Sequence, residues 1–370
     1  MHCRPLRLAL LVTPLIAGLL VAPAGAQTTH LVGPGGFATI GDAVAAAVDG
    51  DIVHVAPGTY PRVSINKALT VRALTPGTVV LENGPFLSGI AAPAGKAIHV
   101  IGLEYRGFTI TNGSVTLDQC TFVSNGDILV AVGGRCHMQD CMVLGRGPAI
   151  INPNAALVVD HAFVSAIGST FEGTSATGGY NGVSVGVDVR VGTFQASGCT
   201  IQGGNGPTSR PGLIADAEST IWLSDSNVIS DPAVCPIEAA SAHGRQARTT
   251  LTPNCGALPS GPLLGIRRTA PMTPGGTLDL AFLSEPNEPI GVFANLLIGF
   301  QPGVLFEQPN LLGGGCQPVG MLFTDATGNA SASWSIPLVS ALVDRGVWVQ
   351  GFAGLSAPIR TSSLAGGVVR

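Results

Sequence analysis

The sequence contains few charged and few aromatic residues. Charged residues account for 11% of its 370 positions and aromatic residues for 5%, whereas about 25% of the residues in a typical soluble domain are charged. Its only lysines are Lys67 and Lys96, so we expect no basic surface for nucleic acid. After residue 26, no apolar run reaches the ~18 residues that a membrane-spanning helix needs, and we expect no transmembrane segment.

Sequence signals for two common kinds of functional site are missing as well. The eight cysteines include no Cys-x-x-Cys pair, and the seven histidines are scattered along the chain. Zinc sites in proteins usually show such closely spaced ligands, so we expect no zinc site. A phosphate-binding loop of the Walker type is also absent. These absences argue against zinc-dependent and nucleotide-dependent functions.

Residues 1–26 have the three parts of a secretory signal peptide. Arg4 and Arg7 precede a largely apolar run from Leu8 to Val21, and small residues end the segment. Without these two arginines the chain has 16 basic and 22 acidic residues, a formal charge of −6. We therefore expect a secreted protein that is located outside the cell or at its surface.

The stretch from Phe37 to Leu74 predicts a short helix followed by several strands. Thr39 is the expected N-cap, with Asp42 three residues later as in a capping box, and Gly50 is the expected end of the helix. Three apolar residues recur every four positions and predict one buried stripe: Ile40, Val44 and Val48. A helix in this place would cover the open first edge of a coil of strands. The alternative is a simple α/β unit.

The run GDIVHVAPGTY, followed by INKALTVRAL and PGTVVL, resembles the opening of the right-handed parallel β-helix proteins of the pectin-lyase-like superfamily. The resemblance covers residues 37–228. It implies an all-β fold in which an N-terminal helix caps a parallel coil. Because that superfamily contains lyases, hydrolases, esterases and inert surface proteins, the resemblance implies no particular activity.

The middle of the chain repeats loosely. Five segments share a small residue, a variable residue and an apolar residue, at spacings of 21, 28, 30 and 27: Cys120–Phe122, Cys141–Val143, Ser169–Phe171, Cys199–Ile201 and Ser226–Val228. Such repetition predicts successive coils with loops of different lengths. Hairpin signals are few, which favours a coil over a β-sandwich. We expect Cys120 and Cys141 to occupy equivalent positions on adjacent coils, as buried thiols.

The pattern changes near Leu264. The runs GGTLDLAFL, GVFANLLIGF and GVWVQGFAG alternate or are wholly apolar, which predicts a small antiparallel β-sandwich. The stretch FTDATGNASASWSIP resembles a C-terminal β-sandwich of secreted proteins from planctomycete-like bacteria. The expected organisation is a signal peptide over 1–26, a parallel β-helix domain over 27–256, a linker over 257–263 and a β-sandwich domain over 264–370.

Cys235 and Cys255 flank a polar loop near the end of the predicted coil. Oxidising conditions outside the cell favour disulfides, and we expect these two residues to form one. Cys3 leaves with the signal peptide, so an odd number of cysteines remains. The pairing of the other five is left open: Cys120, Cys136, Cys141, Cys199 and Cys316.

The most suggestive candidates for a catalytic site are Asp160, His161, Asp188 and Arg190. The resemblance to pectate-lyase-like enzymes implies clustered carboxylates that bind calcium and a basic side chain that abstracts a proton. On this hypothesis Arg190 is the base, while Asp160 and Asp188 bind calcium or orient the sugar. Their spacing of 28 residues is close to one coil and predicts that the two carboxylates stack. The alternative is that all four residues are solvated residues at corners of the coil.

Side-chain alternation gives two further expectations. Asp118 lies two residues before Cys120, whereas Asp140 lies one residue before Cys141, so the two carboxylates should point to opposite faces. All three tryptophans lie in apolar strands and are expected in the core: Trp222, Trp334 and Trp348. We therefore expect no dedicated aromatic platform for sugars.

The motifs that would support an enzyme of the superfamily are missing. Polygalacturonases carry Gly-His-Gly and Arg-Ile-Lys, and neither string occurs. The favoured function is a secreted, non-catalytic β-helix protein that needs no cofactor and presents an extended face to extracellular polysaccharide or cell-surface components. The alternative is a divergent polysaccharide lyase or glycoside hydrolase that uses calcium.

Overall fold

A computed structural model describes residues 27–82, 88–93, 95–105, 108–124, 128–130, 133–145, 155–174, 184–204, 209–239, 243–260, 263–269, 272, 275–295, 303–305, 308–310, 317–336, 346–353 and 360–368. The predicted signal peptide, residues 1–26, lies outside the described residues. Within the described part of the chain, no helix is long and apolar enough to cross a membrane.

Most strands lie in three long parallel sheets, which the chain visits in turn. The ten-strand sheet contains Thr29–Val32, Ile52–Val55, Thr70–Ala73, Ala97–Ile101, Ser114–Asp118, Arg135–Gln139, Phe163–Ile167, Thr193–Ser197, Thr220–Ser224 and His243–Ala247. The nine-strand sheet contains Gly58–Tyr60, Val79–Leu81, Leu103–Tyr105, Thr121–Ser124, Met142–Gly145, Thr170–Glu172, Thr200–Gln202, Asn227–Ile229 and Thr250–Thr252. The seven-strand sheet contains Ser88–Ala91, Phe108–Asn112, Ile128–Val130, Leu157–Asp160, Val187–Arg190, Leu213–Ala215 and Ile237–Glu238. The chain is all-β in this region, and the arrangement is consistent with a parallel β-helix.

One apolar core runs along the inside of these sheets. Successive side chains of a strand point to opposite faces, so every second residue faces the core. In the ten-strand sheet these inward residues are fully buried and stack in register: Val53, Val71, Val100, Leu117, Met138, Ala166, Ala196 and Leu223. The aliphatic stack explains the short apolar runs of the sequence.

The five repeat segments lie on adjacent strands of the nine-strand sheet. Their apolar residues are in register, as the repeat pattern predicts: Phe122, Val143, Phe171, Ile201 and Val228. Cys120 and Cys141 precede adjacent strands, and both are free, buried thiols. Each Sγ donates a hydrogen bond to the carbonyl two residues earlier, at 3.5 Å for Cys120 and 3.4 Å for Cys141. The expectation for these two cysteines is confirmed.

Between the ten-strand and nine-strand sheets, the chain turns through a single residue in the left-handed conformation. Its φ lies between 49° and 71° on successive coils: Gly102, Gln119, Asp140, Gly168, Gly198, Asp225 and Arg248. Its N–H donates to the next coil, for example from Gly198 to the Ser224 carbonyl at 3.0 Å. Glycine takes this conformation without steric cost, whereas other residues need support from their neighbours. Such a corner interrupts side-chain alternation. Counting alternate residues across the corner therefore does not predict which face a side chain is on.

The α-helix spans Ile40–Ala46 and contacts the first two strands of the ten-strand sheet. Thr39 is its N-cap, as expected, and its Oγ1 accepts a hydrogen bond from the Asp42 N–H at 3.1 Å. Ile40 and Val44 are buried. The expected burial of Val48 is wrong, because the helix ends at Ala46 and leaves that side chain 64% exposed.

The last coil is closed by side chains from the segment that follows it. Cys235 and Cys255 form a disulfide with a Cα–Cα distance of 5.2 Å, as predicted. Leu258 is buried in the core of the parallel sheets, and Ser260 forms a β-bridge with Gln246.

Cys136 and Cys199 are free and buried, like Cys120 and Cys141. Cys316 lies outside the described residues.

Separate antiparallel sheets follow. The three-strand sheet contains Gly265–Arg268, Thr277–Leu283 and Asn329–Ser335; the four-strand sheet contains Gln317–Phe323, Pro289–Asn295, Gly346–Ala353 and Arg360–Val368. Gly303–Leu305 and Gln308–Asn310 form a two-strand sheet. The two larger sheets share one apolar cluster, which includes Phe282 and Val292 and also Ile167 of the ten-strand sheet. We call residues 264–368 the C-terminal module; it packs against the outer face of the ten-strand sheet.

Candidate functional site

The predicted catalytic candidates lie at the C-terminal ends of two adjacent, interior strands of the seven-strand sheet. Leu157 and Val159 are fully buried on the inner face of their strand, so Asp160 belongs to the outer face. By the same alternation, Asp188 and Arg190 belong to the outer face of the next strand. His161 follows Asp160 in the left-handed conformation, with φ 49°. The structure therefore brings the four residues onto neighbouring coils, as the sequence suggested.

The expected stacking of Asp160 on Asp188 is wrong. Asp160 pairs in register with Arg190, and Asp188 pairs with Val158. The coil is 30 residues long at this point, so a spacing of 28 places the second carboxylate two residues too early in its strand. Asp160 thus has an arginine, not another carboxylate, as its neighbour across the sheet.

Each carboxylate of this group is bound by a basic side chain beside it. Arg190 Nε donates to Asp188 Oδ2 at 2.8 Å, and Arg190 Nη2 contacts the same oxygen. His161 Nδ1 lies 2.6 Å from Asp160 Oδ1. Calcium requires six to eight converging oxygen ligands. Among the described residues, no group of three or more His, Cys, Asp or Glu side chains is placed to hold a metal ion.

Asp216, on the following coil, supports the backbone. Its Oδ2 accepts a hydrogen bond from the Val191 N–H at 2.9 Å, and its Oδ1 accepts one from Ser219 Oγ at 2.6 Å. Partial burial acts to raise the pKa of this carboxyl, but the hydrogen bonds from Ser219 and Val191 outweigh it and lower the pKa. Asp216 therefore stabilises the turn at Val191, which is a structural role.

Asp118 and Asp140 do not point to opposite faces. Arg268 Nη2 lies 3.4 Å from Asp118 Oδ1 and 2.9 Å from Asp140 Oδ2, so both carboxylates converge on one guanidinium. Asp118 ends its strand, whereas Asp140 is itself the left-handed corner residue. The alternation rule fails here because it was applied across that corner. The Arg268 side chain is only 4% exposed, so this ion pair is part of the interface with the C-terminal module.

A Gly-x-Ser-x-Gly string occurs at residues 182–186, and its spacing is that of a nucleophile elbow. Such an elbow joins a strand to a helix, but Ser184 precedes the strand Val187–Arg190. Its side chain is buried, and its Oγ accepts a hydrogen bond from the Thr174 N–H at 2.6 Å. Ser184 is therefore a structural residue.

Trp222 is on the outer face of the ten-strand sheet, contrary to the expectation that it lies in the core. Its neighbours Ile221 and Leu223 are fully buried on the inner face, while Trp222 is half-buried. In register on either side stand Gln195 and Arg245. Ile221, Trp222 and Leu223 are three consecutive apolar residues in this strand, and the unbroken apolar run hides which of them faces outward. The position of Trp222 three residues before the corner residue Asp225 was the signal that could have shown it.

The outer face of the nine-strand sheet carries a row of mostly short polar residues. In register they are Glu104, Thr121, Met142, Thr170, Thr200, Asn227 and Thr250. These side chains are half-buried or exposed. Their inward neighbours, such as Phe171 and Ile201, are fully buried. The row is thus an exposed surface with one acidic and no basic residue.

No protein-family model matches the chain, and no curated protein matches it in sequence. The likeness to pectin-lyase-like proteins is therefore limited to the sequence features described above.

Proposed function

We propose that the protein is a secreted, non-catalytic, right-handed parallel β-helix that presents an extended face to extracellular glycans or cell-surface components. In this proposal the helix Ile40–Ala46 caps the first coil, and the C-terminal module is a β-sandwich. The contact of the helix with the first two strands supports the cap. The apolar cluster shared by the two antiparallel sheets supports the sandwich.

The observation that carries the proposal is the row of mostly short polar residues on the outer face of the nine-strand sheet, which we call the threonine row. Thr121, Thr170 and Thr200 stand on successive or nearby strands of one face, and neighbouring strands are about 4.8 Å apart. Met142 separates Thr121 from Thr170, whereas Thr170 and Thr200 are on adjacent strands. The row thus offers hydroxyl groups beside methyl groups at one or two strand spacings. A chain of sugar rings presents alternating hydroxyl and C–H surfaces, and a surface of this kind can bind it along several coils.

The candidates at the seven-strand sheet support the non-catalytic part of the proposal. Asp188 is largely buried and bound to Arg190, while Asp160 is bound to His161. A base that must accept a proton from a sugar needs free access to it. Arg190 instead directs its Nε and Nη2 to a carboxylate of its own strand.

A glycan array, read together with activity assays on the mature chain 27–370, tests this function. We expect glycan binding, with no unsaturated product and no new reducing ends from acidic or neutral polysaccharides. The double variant Thr170→Arg/Thr200→Arg should lose binding, because it places two bulky charges in the row. Val48→Arg places the same bulky charge at an exposed position away from the row; it is the control and should bind as the wild type does. Turnover by the wild type would refute the non-catalytic proposal.

The alternative, a divergent lyase or hydrolase, is supported by one observation. Asp160, His161, Asp188 and Arg190 lie on the outer face of adjacent coils. A polysaccharide could reach the exposed side chains of His161 and Arg190 there. Calorimetry with calcium on the intact protein and on Asp188→Ala separates the two proposals. Calcium binding that is lost in Asp188→Ala, with turnover of an acidic polysaccharide, would establish the enzyme.

A further inference from the structure

The last three strands of the ten-strand sheet carry a compact group of aromatic and polar side chains on their outer face. Gln195, Trp222 and Arg245 are cross-strand neighbours. Two residues earlier, Thr193, Thr220 and His243 form a second row on the same face. Strands about 4.8 Å apart, with about 6.6 Å between such rows, give a patch roughly 10 Å by 7 Å. One or two sugar rings fit on a surface of this size.

The charge of this patch differs from that of the whole chain. The strands Thr193–Ser197, Thr220–Ser224 and His243–Ala247 contain no acidic residue, whereas the full sequence has a formal charge of −4. Arg245 and His243 are exposed. Trp222 is half-buried, so part of a large apolar ring borders solvent beside the exposed Arg245 on the same outer face of the sheet.

The C-terminal module forms a wall along one side of the patch. Two residues after Gln195 and Trp222, Ser197 and Ser224 form a further row on the same outer face. Gly265 of the C-terminal module lies over this row. A Cβ on Gly265 would be 3.4 Å from both Ser197 Oγ and Ser224 Oγ. The patch therefore lies at a junction between two units of the fold, a place where ligand sites are common.

Gln195 provides an independent sign of a ligand. The residue is only 6% exposed, and its Oε1 is buried without a hydrogen-bond donor among the described residues. A buried amide oxygen normally accepts a hydrogen bond, because an unmade one costs free energy. Its neighbour on the sheet is Trp222. A hydroxyl group held against the indole would supply the missing donor.

We propose that Gln195, Trp222 and Arg245 bind a pyranose ring of a glycan. The C–H face of the ring packs on the indole, Gln195 Oε1 accepts a hydrogen bond from a ring hydroxyl, and Arg245 donates to a hydroxyl or carboxylate oxygen. The site rests on the proposed function only in that its ligand is a glycan. It lies on a different sheet from the threonine row, so the two surfaces can be tested separately.

Calorimetric titration of the mature protein with a neutral β-1,4-glucan hexamer and with a 1,4-linked uronate hexamer tests the site. We expect at least one hexamer to bind, and Trp222→Ala to weaken it about tenfold, as the loss of one aromatic contact does. Trp222→Phe should retain most of the affinity. Arg245→Gln, at an exposed position, should weaken the uronate hexamer more than the neutral one if both bind. Unchanged melting temperatures show that the variants are folded.

The outcomes distinguish this site from the proposed function. Binding that survives Trp222→Ala and Arg245→Gln, but is lost in Thr170→Arg/Thr200→Arg, overturns the site and leaves the proposed function standing. Binding of neither hexamer also overturns the site, while the glycan array decides the proposed function separately.

Discussion

The covered and open surfaces of the parallel coil have similar side chains in different environments. On the ten-strand sheet, His137 and Ser165 are fully buried, and Arg268 of the C-terminal module lies over the adjoining corner. On the nine-strand sheet, Thr170 is half-exposed and Met142 is 45% exposed. Both outer faces are rich in polar residues, so polarity alone does not identify an exposed face. What covers a face decides the energetic role of its residues.

Disrupting the contact between the helix Ile40–Ala46 and the first strands should give the largest loss of stability. Val44→Asp would place an unpaired charge between the helix and the first strands and lower the free energy of unfolding by about 3 kcal/mol or more. Val48→Asp, only four residues later but exposed, should change it by less than about 0.5 kcal/mol. Chemical denaturation measures both. Equal stability of the two variants would show that the helix does not cover the coil.

Breaking the ion pair between Arg268 of the C-terminal module and Asp118 and Asp140 should give the second-largest loss of stability. Arg268→Met removes the guanidinium that binds buried Asp118 and half-exposed Asp140, and breaking a buried ion pair costs roughly 3 kcal/mol. Arg267→Met, at the exposed neighbouring position, is the matched control and should be nearly neutral. Thermal unfolding measures both variants. If the two melt alike, the module does not depend on this contact.

Acid should lower the free energy of unfolding by protonating His137, which is buried on the covered face. Burial, reinforced by the charge of Arg268 and opposed by a hydrogen bond at Ser165, lowers its pKa from 6.5 to about 3. Because the folded pKa is below the unfolded one, the stabilisation is complete above pH 6.5 and is lost as the pH falls toward 3. Between pH 7 and pH 5 the loss should approach ~2 kcal/mol for this one group.

Comparison of the wild type with His137→Gln isolates this contribution. The glutamine cannot become protonated, so the variant should lose less stability than the wild type between pH 7 and pH 5. His99 is also buried, and its pKa is lowered by burial to about 4, so part of the pH dependence should remain in the variant. Parallel stability curves for the two proteins would count against the buried state of His137.

A substitution on the open outer face of the nine-strand sheet should change the free energy of unfolding least. Thr200→Ala removes a half-exposed hydroxyl from the nine-strand sheet, and such surface changes usually stay within about 0.5 kcal/mol. Its effect should appear in glycan binding instead of stability. A loss of stability as large as that of Arg268→Met would mean that this face, too, is covered.

Local sequence patterns determined the parallel coil. The small-variable-apolar repeat placed Phe122, Val143 and Phe171 in register, because inward positions of stacked strands must be apolar. The capping residue Thr39 and the pair Cys235 and Cys255 were also correctly identified. Each of these features depends on residues close in sequence or on a pattern repeated on every coil.

The tertiary structure alone decided which polar residues meet. Arg268 reaches Asp118 and Asp140 across 150 and 128 residues, and no local pattern reports a contact of that range. Asp160 faces Arg190, not Asp188, because the length of a coil depends on its loops. Trp222 faces outward because side chains alternate along a strand in which it stands between the inward residues Ile221 and Leu223. A left-handed corner or a change in loop length moves a side chain to another face without altering the hydrophobic pattern that the sequence displays.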